Sequence, residues 1–138
     1  MNGLKIFYIM LLFAIPAMVS INSCDDTVTG DEIDSIIIPE QDVSFSKHLY
    51  PIFNVKCAHA CHNEENFDGS YSMTTWSNVL QAGVVNPFSP ETSRLIWRID
   101  SEKYGYEPMP PYNSNVKPLT ENQRIGVFTW IKEGAKNN

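Results

Sequence analysis

From residue 45 onward the apolar positions of this chain fall mostly at helical spacing. Phe45, Leu49, Ile52 and Phe53 stand at i, i+4, i+7 and i+8 and form one stripe. Pro51 lies inside that stripe, where its missing N–H kinks a helix or starts its second half. The helix delivers the chain directly into Cys57. Asn63 to Ser72 is polar and contains glycine, which predicts a loop. The segment from Thr75 to Ala82 predicts a short helix with Gly83 as its stop. Pro90 to Ile99 predicts another, with Leu95, Ile96 and Ile99 facing inward. Pro108, Pro110, Pro111 and Pro118 argue against a regular element between residues 100 and 118. The final helix is the best defined. Thr120 and Gln123 make a capping box, Ile125, Phe128 and Ile131 repeat every three residues, Val127 and Trp130 widen the stripe, and Gly134 ends it. The expected fold is all-α: three to five helices with long loops and little sheet, in one domain over residues 43–138.

The first 42 residues follow a different pattern. Lys5 precedes an apolar stretch from Ile6 to Val19, then Ser20-Ile21-Asn22-Ser23-Cys24. The stretch is shorter than the roughly 20 apolar residues of a spanning helix and is interrupted by Pro16, so residues 1–23 read as an export signal. Ile21-Asn22-Ser23-Cys24 resembles the lipobox of bacterial lipoproteins, in which Cys24 becomes the lipidated first residue. The competing readings are an ordinary cleaved signal with an incidental cysteine, and a retained anchor helix. Residues 24–42 then carry Asp25, Asp26, Asp31, Glu32, Asp34, Glu40 and Asp42 and no Lys or Arg, the composition of an extended, self-repelling tether. Ile36-Ile37-Ile38 is the exception, either a short strand docked on the domain or plain spacer.

Charge and cysteine count narrow the function. A chain of 138 residues suits one compact domain plus a leader. A net charge of −6 with no Lys/Arg cluster disfavours nucleic acid as a partner. An acidic surface favours a partner with a basic docking patch. Three cysteines in an exported chain leave one odd thiol. Lipidation of Cys24 removes it and leaves Cys57 and Cys61 as a pair.

The chemistry concentrates at Cys57-Ala58-His59-Ala60-Cys61-His62. C-x-x-C-H attaches c-type haem: two thiols add to the two vinyl groups, and the adjacent histidine supplies an axial nitrogen to iron. Here one additional residue separates the cysteines, so the backbone must bulge to keep both sulfurs in place. Small Ala58 and Ala60 let the loop lie close to a porphyrin. Two other readings remain open at this point. Cys57, His59, Cys61 and His62 can supply zinc ligands, although no second Cys/His pair lies downstream. Alternatively, a Cys57–Cys61 disulfide stabilises an exported binding module without haem. For a second axial ligand, Met109 lies on a proline-stiffened loop and offers a soft thioether. Met73, His48 and His59 are its rivals, read as packing for the methionine and as surface for the histidines. Trp97, Phe128 and Trp130 either line a haem crevice or form ordinary core. Tyr104, Tyr106 and Tyr112 flank the Met109 loop and are candidate hydrogen-bond donors to a haem propionate. No distal acid–base pair suggests peroxide chemistry.

The sequence resembles the small class I-like cytochrome c domains of planctomycete and Bacteroidetes exported proteins, some of which share the longer cysteine spacing. The resemblance rests on four stretches: Phe45 to Phe53 leading into Cys57 and Cys61-His62; Asn86 to Ile96; Met109-Pro110-Pro111; and Leu119-Thr120 followed by Trp130 to Ala135. It implies N- and C-terminal helices crossing beside a single covalent haem c. It also implies thioethers at Cys57 and Cys61, His62 as proximal ligand and Met109 as distal ligand. The function so implied is electron transfer at a bacterial membrane surface, by a lipid-anchored carrier rather than an enzyme, between redox proteins that the sequence does not identify.

Overall fold

The structure, a computed structural model, describes residues 30–81 and 83–138. Among these residues the chain is helical and has no strand; one isolated antiparallel bridge joins His62 and Phe67. The signal segment 1–23, Cys24 and the start of the tether lie outside the described residues, as does Ala82.

Helix α1 is Gly30–Asp34. Helix α2 is continuous from Phe45 to Ala58, wound as a π-helix over Phe45–Leu49, as an α-helix over Tyr50–Phe53 and as a π-helix again over Asn54–Ala58. Ser44 caps it: its Oγ accepts from the Lys47 N–H. Pro51 falls in the first turn of the α-wound part, where its missing N–H is tolerated and the wide turn before it relieves the clash of its ring. All four residues of the predicted stripe, Phe45, Leu49, Ile52 and Phe53, are buried. Helix α3, Trp76–Val79, is capped by Thr75 and is half the predicted length. Helix α4 is Arg94–Ile99 and helix α5 is Ser101–Tyr104, a single turn closed by left-handed Gly105.

The predicted helix from Pro90 to Ile99 is broken. Pro90–Thr92 is a 3₁₀ turn, and fully buried Ser93 interrupts the winding. Its hydroxyl donates to the Ser89 carbonyl and accepts from the Asn86 N–H, a local alternative to helical bonding.

Helix α6, Glu121–Lys132, carries the predicted capping box between Thr120 and Gln123. Its inward face differs from the expected triplet. Gln123, Gly126, Val127, Trp130 and Ile131 are buried, whereas Ile125 is 54% exposed. A strict repeat of three drifts off a helix of 3.6 residues per turn, and the i, i+3, i+4 set centred on Val127 wins the core. Trp130 anchors α6 on α2: its ring lies 5.6 Å from Phe45 and 6.4 Å, edge-on, from Phe53.

The tether expectation needs correction for residues 30–42, which are packed on the domain. Ile33, Ile38 and Val43 are buried while Asp31, Glu32, Glu40 and Asp42 stay in solvent. Spacing the acids between apolar anchors lets the segment dock without burying most of its charge. Asn122 of α6 accepts from the Ile38 N–H and donates to the Ile38 carbonyl, and buried Gln123 donates to the Ile33 carbonyl. Glu133 receives the N–H groups of Asp42 and Val43. The isoleucine run docks as irregular chain, with Ile38 inside and Ile37 outside, and not as a strand.

Candidate functional site

The cysteine motif emerges from the π-wound end of α2. The His59 N–H donates to Asn54 O at 2.9 Å and the His62 N–H to Cys57 O at 3.0 Å, both spanning five residues. Such a turn holds one residue more than an α-turn, so the additional residue between Cys57 and Cys61 is absorbed by widening. Asn63 locks the exit: its amide donates to the carbonyls of Ala58 and His59, and its Oδ1 accepts from the N–H groups of Glu65 and Asn66.

His62 is held on both backbone and ring. Its carbonyl accepts from Met73 N–H at 2.8 Å. Its Nδ1 lies 3.0 Å from the Asp68 carbonyl and 3.2 Å from the Tyr71 carbonyl. Both partners are acceptors, so Nδ1 carries a proton, and Nε2 is the ring nitrogen with no protein partner that can offer a lone pair. Histidines that bind a metal through Nε2 are oriented by a bond of this kind from Nδ1–H to an acceptor. Tyr71 packs edge-on to the imidazole at 5.6 Å, and its hydroxyl donates to the Val79 carbonyl. Burial pushes the Tyr71 phenol above its ordinary value.

Cys57, Cys61, His62 and Met109 all line one open cleft of about 260 Å³. Both cysteines are free thiols. Burial pushes the Cys57 thiol up to about 12, against the pull of the neighbouring Lys56 charge. Val84, Leu95, Ile99 and Val116 give the cleft apolar walls. Its charge is opposite to that of the chain: Lys56, Arg94 and Arg98 line it against a single acid, Asp68, in a chain with 10 basic and 16 acidic residues.

Met109 is 37% exposed, and its N–H donates to the Arg98 carbonyl at 2.9 Å. The Arg98 guanidinium donates to the Glu107 carbonyl and lies over the Tyr106 ring, which stacks on Trp97 at 5.2 Å. The methionine loop is thereby strapped to α4. Met73 also lines the cleft, buried beneath it. His48 is remote, its Nδ1 accepting from the Ser44 N–H at the start of α2, and His59 is exposed. Neither lines the cleft. Among the described residues no three His, Cys, Asp or Glu side chains are placed to share an ion.

Trp130 belongs to the core, and neither Trp97 nor Phe128 lines the cleft; nor do Tyr104, Tyr106 and Tyr112. Sequence reasoning missed Lys56, Arg94 and Arg98. For the arginines a signal existed: they lie four apart on α4, with Leu95 and Ile99 offset by one. For Lys56 there was none, since a lysine on a helix ordinarily faces water.

No family model, no curated protein and no solved structure matches the chain.

Proposed function

We propose that the cleft holds one covalent haem c and that the protein is an electron carrier. In this reading Cys57 and Cys61 form the thioethers, His62 is the proximal ligand and Met109 the distal one. The observation that carries it is His62: a histidine with Nδ1 fixed by two carbonyls and Nε2 free, in a wall shared with two free thiols.

The residues present fit such a group. Nε2 of His62 and the Met109 thioether are a nitrogen and a soft sulfur donor, a recurrent axial pair. Arg94 and Arg98 provide cations for two carboxylates. Val84, Leu95, Ile99 and Val116 exclude water from an apolar ring. The cleft lies just below the ~300–1,000 Å³ usual for ligand sites, so a large planar group seated there keeps an edge in solvent. That edge suits electron exchange with another protein. When bound, haem supplies a one-electron couple at iron, tuned by its ligands and burial.

The remainder of the reading comes from the sequence. Cleavage before Cys24 and lipidation there would hold an exported carrier at a bacterial membrane surface. The finer assignment within the all-α class, a class I-like cytochrome c fold, belongs to this proposal as well.

The test is expression of the full chain with a c-type haem maturation system. Haem that stays on the denatured chain and gives the thioether-type pyridine spectrum supports the proposal. A colourless chain, or one whose haem extracts into acidic solvent, overturns it.

A further inference from the structure

We infer that Lys56 and Asp34 form a charge pair that sets the potential of the redox group in the cleft, so that the acidic segment of α1 belongs to the redox centre. The inference rests on the haem proposal above.

Lys56 immediately precedes Cys57 and contributes to the cleft wall, yet its side chain is only 2% exposed. Its Nζ donates to the Pro118 carbonyl at 2.7 Å and to the Lys117 carbonyl at 3.3 Å, and pairs with the Asp34 carboxylate. Three separate parts of the chain therefore meet at this ammonium: α1, the end of α2, and the loop before α6. A buried ion pair is weak evidence of stabilisation, because the cost of desolvating both charges offsets their attraction. Its field is another matter. Buried charges are screened far less than surface charges, by water or by salt.

At a haem, the electron adds negative charge. A buried cation in the wall favours the reduced form and raises the potential, and a carboxylate lowers it. Lys56 lines the cleft and Asp34 does not, so the ammonium is the charge on the cleft side of the pair; the Asp34 oxygen facing it is buried, while the side chain as a whole is 25% exposed. The pair leaves a residual positive field toward the cleft, held by the docking of α1. The same helix carries an internal control. Asp31 pairs with Lys117 at 2.8 Å, but both side chains are largely in water, at 86% and 68% exposure. Removing that carboxylate changes the net charge of α1 by the same unit without touching a buried field.

The experiment is a spectroelectrochemical titration of the haem-loaded full chain and of Asp34→Asn, Lys56→Met and Asp31→Asn. Haem content is measured on each by the pyridine spectrum. Asp34→Asn should raise the midpoint potential and Lys56→Met should lower it. Each should change the reduced-to-oxidised ratio at fixed ambient potential by threefold or more, about 28 mV at 59 mV per tenfold for one electron. Asp31→Asn should stay inside that margin. Haem-loaded Asp34→Asn with an unmoved or lowered potential overturns the inference, and so does an Asp31→Asn shift as large as that of Asp34→Asn. If Lys56→Met does not fold, the comparison of Asp34→Asn with Asp31→Asn still decides. A wild-type chain without haem overturns the proposed function and this inference together; a loaded chain with unmoved potentials overturns this inference alone.

Discussion

Gly126 on α6 faces Ile38 so closely that a Cβ at Gly126 would stand 2.5 Å from Ile38 Cδ1 and 2.8 Å from Ile38 Cβ. The missing side chain is what lets the isoleucine segment lie on α6. In an exposed helix, Gly→Ala stabilises by about 1 kcal/mol. Here overpacking, typically about 1–3 kcal/mol, works against that gain and exceeds it. Gly126→Ala should lower the stability read from urea unfolding by about 1–2 kcal/mol. Adding Ile38→Ala to it should cost less than the sum of the two single variants, because the second change removes the clash.

Asp34→Ala leaves Lys56 buried with only the Lys117 and Pro118 carbonyls as partners. Breaking such a pair is expected to destabilise the fold by roughly 3 kcal/mol, read by thermal or urea unfolding. Lys56→Met also removes one partner and leaves the buried Asp34 Oδ1 without it, so it should destabilise as well, by less because the Asp34 side chain is 25% exposed overall. The double variant Asp34→Ala with Lys56→Met should cost less than the sum of the two single losses; additive losses would show that the two side chains contribute independently of their pairing.

Met109→Ala in the haem-loaded chain should abolish the weak near-infrared band of ferric iron ligated by methionine sulfur, with haem still attached. The same band lost in Met73→Ala and kept in Met109→Ala would move the distal assignment to Met73, which lines the same cleft. His62→Ala should lose the low-spin spectrum altogether.

With its thiol pushed up to about 12 by burial, Cys57 carries little thiolate near pH 8 in the folded, haem-free chain. Alkylation by iodoacetamide at Cys57 should therefore be roughly a hundredfold or more slower than in urea, as peptide mass spectrometry can follow. The unfolded chain ionises this thiol first, so the haem-free fold should lose stability as pH rises from the ordinary thiol range toward 12. A Cys57→Ser chain should lose less over that window.

Two isoleucines on α6 separate what periodicity predicts from what packing selects. Ile131→Ala should cost about 2–5 kcal/mol, because the side chain is fully buried. Ile125→Ala, at a position more than half exposed, should stay within about 0.5 kcal/mol. Both residues belong to the same predicted triplet, so the unfolding midpoints of the pair test the observed face of the helix directly.

The all-helical class, the buried stripe of α2 and the Thr120–Gln123 cap of α6 were determined by the sequence alone, because local spacing and capping chemistry act within one or two turns. The same locality made Cys57, Cys61, His62 and Met109 recognisable as candidates before any geometry. Tertiary structure decided the rest. It brought Met109 and His62, 47 positions apart in the chain, to one cleft. It turned part of an acidic spacer into a docked segment by burying Ile33 and Ile38 against α6 while leaving most of the acids wet. It also drew Lys56, Arg94 and Arg98 to the cleft. Sequence spacing reports which residues share a face, but the side on which water is excluded depends on what packs there, and that is a property of the assembled chain.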